Sequence, residues 1–183
     1  SIDEAHVRGN TGIYLSNHEV VALSLRYCGL RSIPASIEKF DALELLDITG
    51  NQVTHLPGSI GNISSLRKIF LDGNQITELP STCKDLVKLE ELYADNNAIL
   101  ELPANICELP QLRVLSIYGN KLETLPGSNW SQGLAEFSAG NNHIKKIPSS
   151  VWRLKNLQLL NLAENKLSEI SEELGNLSHL HML

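Results

Sequence analysis

The stretch Leu66-Arg-Lys-Ile69-Phe-Leu71-Asp-Gly-Asn74-Gln-Ile76-Thr-Glu-Leu79-Pro80 decides the fold of this chain of 183 residues. Its apolar residues follow one another at steps of three, two, five and three residues. That spacing matches neither an amphipathic helix nor a simple alternating strand. It predicts a short strand followed by a tight turn. The pattern recurs about one repeat away in both directions, so internal repetition governs the interpretation of the whole chain.

The composition is that of a globular protein, with 42% hydrophobic and 20% charged residues. The formal net charge is -6, which disfavours a nucleic-acid backbone and favours a protein partner with a basic or mixed surface. No apolar run is long enough to cross a bilayer, so we expect no membrane insertion.

Cysteine usage bears on the compartment. The three cysteines cannot all pair, and their scattered positions favour a reducing, cytoplasmic location: Cys28, Cys83 and Cys107. Three Asn-x-Ser sequons, which accept glycans only on a secretory route, keep a secreted or cell-surface location open as the alternative: Asn62, Asn129 and Asn176.

Copies of the pattern begin every 23 residues, with one interval of 22, at Val20, Leu43, Leu66, Leu89, Leu112, Leu134, Leu157 and Leu180. At this point the chain resembles the leucine-rich repeat family, whose pattern is L-x-x-L-x-L-x-x-N/C-x-L. Most copies continue with an apolar residue, Pro and x-x-apolar, as in Leu79-Pro80-Ser-Thr-Cys83. That longer signature is similar to intracellular Ras-group and scaffold repeats and to many bacterial repeats.

The resemblance implies an α/β repeat solenoid. We expect a right-handed, curved leucine-rich-repeat horseshoe, with a parallel β-sheet on the concave face and short helical or irregular turns on the convex face. Residues 1–19 do not match the repeat, and they predict a capping segment of a short helix through Ala5-His-Val and a hairpin strand from Ile13. Residues 20–183 form the array, with seven full repeats and a truncated eighth. Because Leu183 falls in mid-strand, we expect the natural protein to continue.

Two recurring residues shape each turn. An Asn marks the corner after the strand, where its amide can both donate and accept for buried backbone groups, at positions 51, 74, 97, 120, 142 and 165. A Pro follows and can start a helical turn on the convex side, at positions 34, 57, 80, 103, 126 and 148. The fifth copy is one residue short, and we expect Trp130 to fill the resulting gap.

Alternation along each strand decides which residues face outward from the concave sheet. In the middle copies these outward positions gather aromatic and acidic side chains, the usual make-up of a binding hot spot. The candidate partner-binding residues are Asp47, Phe70, Asp72, Glu91, Tyr93, Asp95 and Tyr118. The competing interpretation is that the rings merely stabilise the sheet and the acids are solvated.

Signals for chemistry are weak. Asp72 and Asp95 on an open sheet lack the desolvated pocket that would separate their pKa values, and His179 with His181 lacks further metal ligands. Cys83 occupies an apolar slot and is expected to be a buried free thiol. No nucleotide, phosphate or nucleophile motif occurs. We therefore expect no enzyme activity, cofactor, metal or small-molecule substrate.

The sequence favours a non-catalytic protein-protein interaction module that binds a protein partner on its concave face, with a scaffold or signalling role. Two alternatives stay open. One is a secreted or cell-surface recognition domain, such as a receptor ectodomain or a bacterial surface or effector protein. The other is the targeting domain of a larger enzyme whose catalytic domain lies outside this chain.

Overall fold

The computed structural model describes Val7 and residues 9–182. Its strands form one eight-stranded sheet in chain order. Strands β2 to β8 are parallel, and β1 is antiparallel to β2. The strands are β1 Gly12–Ser16, β2 Glu19–Ser24, β3 Leu45–Asp47, β4 Lys68–Phe70, β5 Glu91–Tyr93, β6 Val114–Ser116, β7 Glu136–Ser138 and β8 Leu159–Asn161. The predicted repeat solenoid is confirmed.

The repeat pattern sets the strand register. Leu46, Ile69 and Leu92 pair across neighbouring strands, and all three are buried. Because side chains alternate along a strand, the residues on either side of them face the concave surface. Beyond β8, Leu159 forms a parallel bridge with Met182, so the last copy continues the same register.

Short 3₁₀ helices lie on the convex side, as the prolines predict. Pro34, Pro57, Pro80 and Pro103 each stand immediately before such a helix. The helices are η1 Ala35–Lys39, η2 Gly58–Asn62, η3 Ser81–Asp85, η4 Ala104–Ile106, η5 Val151–Arg153 and η6 Glu172–Asn176. Before η6, Ser171 takes the place of proline, and its side chain accepts a hydrogen bond from the Glu173 N–H.

One continuous hydrophobic core runs between the sheet and these helices. The inner copies contribute similar positions, which in the third copy are Leu66, Ile69, Leu71, Ile76, Leu79, Cys83 and Leu86, all buried. Stacking buries both faces of a copy against its neighbours, which an isolated copy could not do.

A ladder of asparagine side chains joins the copies at their corners. The Asn74 Oδ1 accepts a hydrogen bond from the Val53 N–H at 3.0 Å, and its Nδ2 donates to the carbonyls of Ile48 and Leu71 at 3.0 and 2.8 Å. The Leu71 carbonyl also accepts from Asn97 Nδ2 at 3.0 Å. The predicted double role of this amide, as donor and as acceptor, is confirmed.

The N-terminal hairpin is present, with β1 and β2 joined through a turn at Asn17 and His18, both of which have positive φ. The helix predicted through residues 5–7 lies outside the described residues except for Val7. Within the described part of the chain, no helix is both long and apolar enough to cross a membrane.

Candidate functional site

Strand register brings the predicted outward residues into three ladders on the concave face. The central ladder is Ser24, Asp47, Phe70, Tyr93, Ser116, Ser138 and Asn161, and the ladder on one side of it is Ala22, Leu45, Lys68, Glu91, Val114, Glu136 and Leu159. The third ladder lies two residues beyond the central one along each copy and contains Asp72, Asp95 and Tyr118. The alternation rule therefore assigned the facing of these residues correctly.

Two of the predicted binding residues are not exposed. Asp47 and Phe70 are fully buried, so the predicted exposure of these side chains is wrong. Phe70 is covered by Val7, which lies before β1 and forms one buried cluster with Ala22, Leu45 and Phe70 on the concave face, and Tyr14 on β1 packs against the same cluster. Sequence reasoning expected residues 1–19 to cap the array, and β1 does pair with β2, but it did not foresee this cover on the sheet.

Asp47 has partners inside its own array. Its Oδ1 accepts a hydrogen bond from the Thr49 N–H at 3.0 Å, and its Oδ2 lies 3.6 Å from Arg26 Nε. Because this carboxylate is fully buried, the ion pair serves to compensate its lost hydration. Its role in this conformation is to hold the first copies together.

The aromatic residues of the central copies are in contact with one another. Phe70 and Tyr93 are stacked, with ring centroids 5.0 Å apart and 11° between the planes. Tyr93 and Tyr118 are half-buried and so present part of each ring to solvent. A Cβ on Gly140 would lie 3.0 Å from Tyr118 Cδ2 and 2.9 Å from Asn161 Oδ1. The glycine thus leaves the space that Tyr118 occupies.

The half-buried carboxylates are fixed by hydrogen bonds between copies. Asp72 Oδ1 accepts from the Asp95 N–H at 2.9 Å. Asp95 Oδ1 accepts from Ser116 Oγ at 2.6 Å and from the Tyr118 N–H at 2.8 Å. Burial raises the pKa of the Asp95 carboxyl, against these two hydrogen bonds, which act to lower it.

Glu91 has an intramolecular partner. Lys68 Nζ lies 2.9 Å from Glu91 Oε1, and both side chains are about one-quarter exposed, at 24% and 22%. An ion pair of this kind contributes little to stability, and it leaves Glu91 partly neutralised toward any cationic ligand. Asp72, Tyr93, Asp95 and Tyr118 are the other predicted residues that the structure leaves partly accessible.

A shallow groove lies beside Tyr93 on the concave face. Its volume is about 390 Å³, and its lining includes Tyr93, Val114, Ser116, Glu136, Ser138, Leu159, Asn161 and Met182. Sequence reasoning placed Val114 and Leu159 in the outward ladder but did not select them. Apolar residues at outward strand positions were the signal that could have identified this groove.

The other candidate chemistries find no support in the described residues. Cys83 and Cys107 are free thiols, both buried, and burial raises the pKa of Cys83 to about 12 and also raises that of Cys107. Cys83 is thus the buried free thiol that the repeat pattern predicts. In the described part of the chain, no three His, Cys, Asp or Glu side chains are grouped to hold a metal ion.

Comparison with known families identifies the repeat. Leucine rich repeat profiles match residues 18–76 and 156–177. A search of curated protein sequences gave no significant match.

Three solved structures illustrate the likeness. The chain is 27% identical to the LRR protein LIC12759 of Leptospira interrogans, with a TM-score of 0.64, over 83% of this chain and 45% of that one. It is 26% identical to internalin C2 of Listeria monocytogenes, with a TM-score of 0.70, over 90% of this chain and 80% of that one.

The third is the LRR ectodomain of the Arabidopsis thaliana membrane receptor kinase GASSHO1/SCHENGEN3, in complex with CASPARIAN STRIP INTEGRITY FACTOR 2. It is 29% identical, with a TM-score of 0.74, over all of this chain and 26% of that one. The chain thus spans less than half the length of the Leptospira protein and about a quarter of the ectodomain.

Proposed function

Because this chain is a leucine-rich-repeat protein, a family of generally non-catalytic interaction modules, we propose that it binds a protein partner on its concave face. The surface used is the part that extends from Tyr93 toward β8. The role of this module is that of a scaffold or signalling domain.

The observation that carries the proposal is the arrangement around Asp95. Tyr93 and Tyr118 each present part of a ring, and the carboxylate between them is held by hydrogen bonds from Ser116 and Tyr118. Rigid aromatic anchors around a fixed charge match the make-up of an interaction hot spot. Preorganisation of this kind reduces the conformational entropy that binding costs.

Charge indicates the kind of partner. Asp72, Asp95 and Glu136 all lie on or beside the open surface, and the chain as a whole carries a formal charge of -6. A cationic segment is attracted to such a surface, both in the long-range approach and in contact. The partner surface is therefore basic or mixed.

The groove adds an apolar component. Val114 and Leu159 face outward on either side of Glu136 in one ladder, and Met182 is 63% exposed at the far end. An extended peptide that crosses the strands meets apolar, acidic and apolar positions in turn. We infer that it carries Lys or Arg between two apolar residues.

Selection from a phage-displayed random peptide library tests the proposal. Peptides that bind the folded chain are expected to be enriched in Lys or Arg beside apolar residues. Tyr118→Ala should weaken their binding by about 2 kcal/mol, roughly thirtyfold in Kd. Asp95→Asn keeps an acceptor oxygen and should cost about tenfold at low salt.

Glu108→Gln provides a matched control for Asp95→Asn, since it removes an exposed carboxylate just after η4 on the convex side. It should leave the affinity unchanged. Peptides whose binding responds to Glu108→Gln and ignores both concave variants would place the site elsewhere. Circular dichroism of each variant shows whether folding is intact.

A secreted or cell-surface location is supported by the likeness to a plant receptor ectodomain. The three sequon asparagines, Asn62, Asn129 and Asn176, are all exposed. Peptide mass spectrometry of the protein from its native host decides between the two locations. A glycan on any of these asparagines supports the extracellular assignment, and unmodified side chains throughout support the cytoplasmic one.

A further inference from the structure

Two polar side chains on the floor of the concave groove have unused hydrogen-bonding capacity. Ser138 and Asn161 pair across β7 and β8 in the central ladder, and both are half-buried where they line the groove. Asn161 Oδ1 accepts from the Ala163 N–H at 3.0 Å. Within the described residues, Asn161 Nδ2 and Ser138 Oγ form no hydrogen bond, and neither atom is fully buried.

The same ladder is used internally nearer the first copy. Ser116 Oγ donates to Asp95 Oδ1 at 2.6 Å, and the buried Asp47 lies 3.6 Å from Arg26 Nε through its Oδ2. The central ladder therefore changes character after β6. On β7 and β8 it presents polar groups to another molecule.

Gly140 determines where the Asn161 amide lies. A Cβ on this glycine would be 2.9 Å from Asn161 Oδ1, 3.1 Å from Asn161 Nδ2 and 3.0 Å from Tyr118 Cδ2. Glycine thus allows the amide and the Tyr118 ring to lie close to the backbone of the sixth copy. Because Gly140 does not have a positive φ, an alanine here would meet these two side chains but no backbone strain.

The unused groups suit the main chain of an extended segment. Asn161 Nδ2 can donate to a carbonyl, and Ser138 Oγ can donate to a carbonyl or accept from an N–H. An extended segment has such groups available, whereas a helix uses its own N–H and C=O groups internally. A helix in the groove would remove water from Ser138 and Asn161 without replacing the lost hydrogen bonds, which opposes binding.

The ladder beside these groups sets the side chains of such a segment. Val114 and Leu159 are half-buried on either side of the exposed Glu136. A Lys or Arg side chain is attracted to Glu136, and apolar side chains cover Val114 and Leu159. The main chain of the segment then passes over Ser138, which lies two residues beyond Glu136 on β7.

From these observations we propose that Ser138 and Asn161, positioned by Gly140, bind the main chain of an extended linear segment of the partner. The segment lies across β6, β7 and β8, with its basic side chain at Glu136. The partner thus contributes a strand-like segment to the groove, and not a helix or a flat folded surface. This assignment rests on the concave-face function proposed above.

Backbone replacement in a library-selected peptide tests the contact. Exchanging one amide for an ester removes an N–H donor and weakens the carbonyl acceptor of that linkage, while every side chain is kept. Over the groove floor, the exchange should weaken binding to the parent chain about tenfold. The double variant Ser138→Ala/Asn161→Asp has lost the groups that bind the main chain, so the exchange should cost nothing further there.

The aspartate in this double variant keeps the acceptor for the Ala163 N–H, and measurement at high salt screens its added charge. Asn141→Asp is the matched control, since it adds the same charge at an exposed corner of the sixth copy. It should leave the effect of the ester exchange intact.

Gly140→Ala tests the positioning without removing any binding group. Displacement of the Asn161 amide should weaken binding of the peptide about tenfold and abolish the effect of the ester exchange, while urea unfolding stays cooperative. Gly127→Ala, whose new Cβ would have no heavy atom within 4 Å, should change neither. A glycine with only a structural role would alter stability and leave the ester effect in place.

Two results would overturn this assignment. One is an ester exchange that costs the same with the parent and the double variant at every position of the peptide. The other is a lactam-bridged helical form of the peptide that binds as tightly as the linear form, where we expect binding at least tenfold weaker. Peptides that give either result but respond to Tyr118→Ala or Asp95→Asn would leave the concave-face function standing. Peptides indifferent to all of these variants would contradict both.

Discussion

At the scale of single residues, the corner asparagine links the copies more directly than any other polar side chain. Each asparagine amide bonds to its own copy and to the preceding one, and neighbouring amides share carbonyl acceptors, as Asn74 and Asn97 share that of Leu71. In the first copy Cys28 stands at this position, and there Asn51 Oδ1 accepts hydrogen bonds from the N–H groups of Cys28 and Leu30 at 3.0 and 2.9 Å. The ladder therefore begins at the second copy.

Replacing one corner asparagine should destabilise the whole array. Asn74→Ala removes the acceptor of the Val53 N–H and leaves that buried donor unpaired, at a cost of about 1–3 kcal/mol. Urea unfolding followed by circular dichroism measures the loss. Asn129→Ala, at an exposed position, should change the free energy of unfolding by less than about 0.5 kcal/mol. Equal effects of the two variants would argue against the ladder as a source of stability.

Asp95 gives the folded chain a distinctive pH dependence. Because burial raises its pKa, the folded state binds more protons than the unfolded state just above the ordinary aspartate pKa of about 3.9. For this group, the free energy of unfolding therefore falls as pH rises through that interval and on through the folded-state pKa. Asp95→Asn should remove this contribution. We expect the free energy of unfolding of the parent minus that of the variant, measured by urea unfolding from pH 3 to 7, to fall as pH rises. A difference that is independent of pH would contradict the raised pKa.

Residue facing could be predicted from the sequence, but residue burial could not. Because Ile69 and Leu71 face inward, alternation predicts that Phe70 and Asp72 face outward, and the strand register agrees with this prediction. Alternation gave no information on Val7, because residues 1–19 lie outside the repeat and show no hydrophobic periodicity. Alternation therefore predicts that Phe70 and Tyr118 are both exposed, whereas Phe70 is fully buried and Tyr118 is half-buried.

At the scale of secondary-structure elements, the fifth copy shows how the array tolerates a missing residue. Between Pro126 and β7 the chain has no 3₁₀ helix, unlike the copies before it. Trp130 fills the space instead, buried and packed edge-on against Phe137 with centroids 4.8 Å apart. Its Nε1 donates to the Pro126 carbonyl at 3.0 Å. The prediction that Trp130 fills the gap left by the missing residue is confirmed.

Truncating the Trp130 side chain should therefore lower the free energy of unfolding substantially. Trp130→Ala removes the ring from a site with no substitute element, and we expect a loss of about 3–5 kcal/mol. Trp130→Phe retains the aromatic contact but loses the hydrogen bond to Pro126, so its cost should be smaller, about 1–2 kcal/mol. Urea unfolding measures both. A loss below 1 kcal/mol for the alanine variant would show that the loop closes over the space on its own.

At the scale of the whole molecule, the array is a one-dimensional stack in which each copy contacts only its neighbours. The strands follow chain order across the sheet, from β1 to β8, and the convex helices likewise pack in sequence. Such a stack can lose one complete copy and close again, because the two exposed faces are equivalent. The binding surface has no such redundancy, since Tyr93 and Asp95 occur in one copy each.

Removing the fourth copy separates these two properties. Deletion of residues 89–111 joins Lys88 to Leu112 and preserves the repeat pattern, so the shortened chain should unfold cooperatively with an m-value lower by roughly an eighth. It should also lose the library-selected peptides, because the deletion removes Tyr93 and Asp95. Deletion of residues 89–99 removes only the strand and corner of that copy, breaks the register, and should abolish cooperative unfolding. A cooperative half-copy deletion, or a full-copy deletion that fails to fold, would show that the copies are not interchangeable and that the stack depends on particular neighbours.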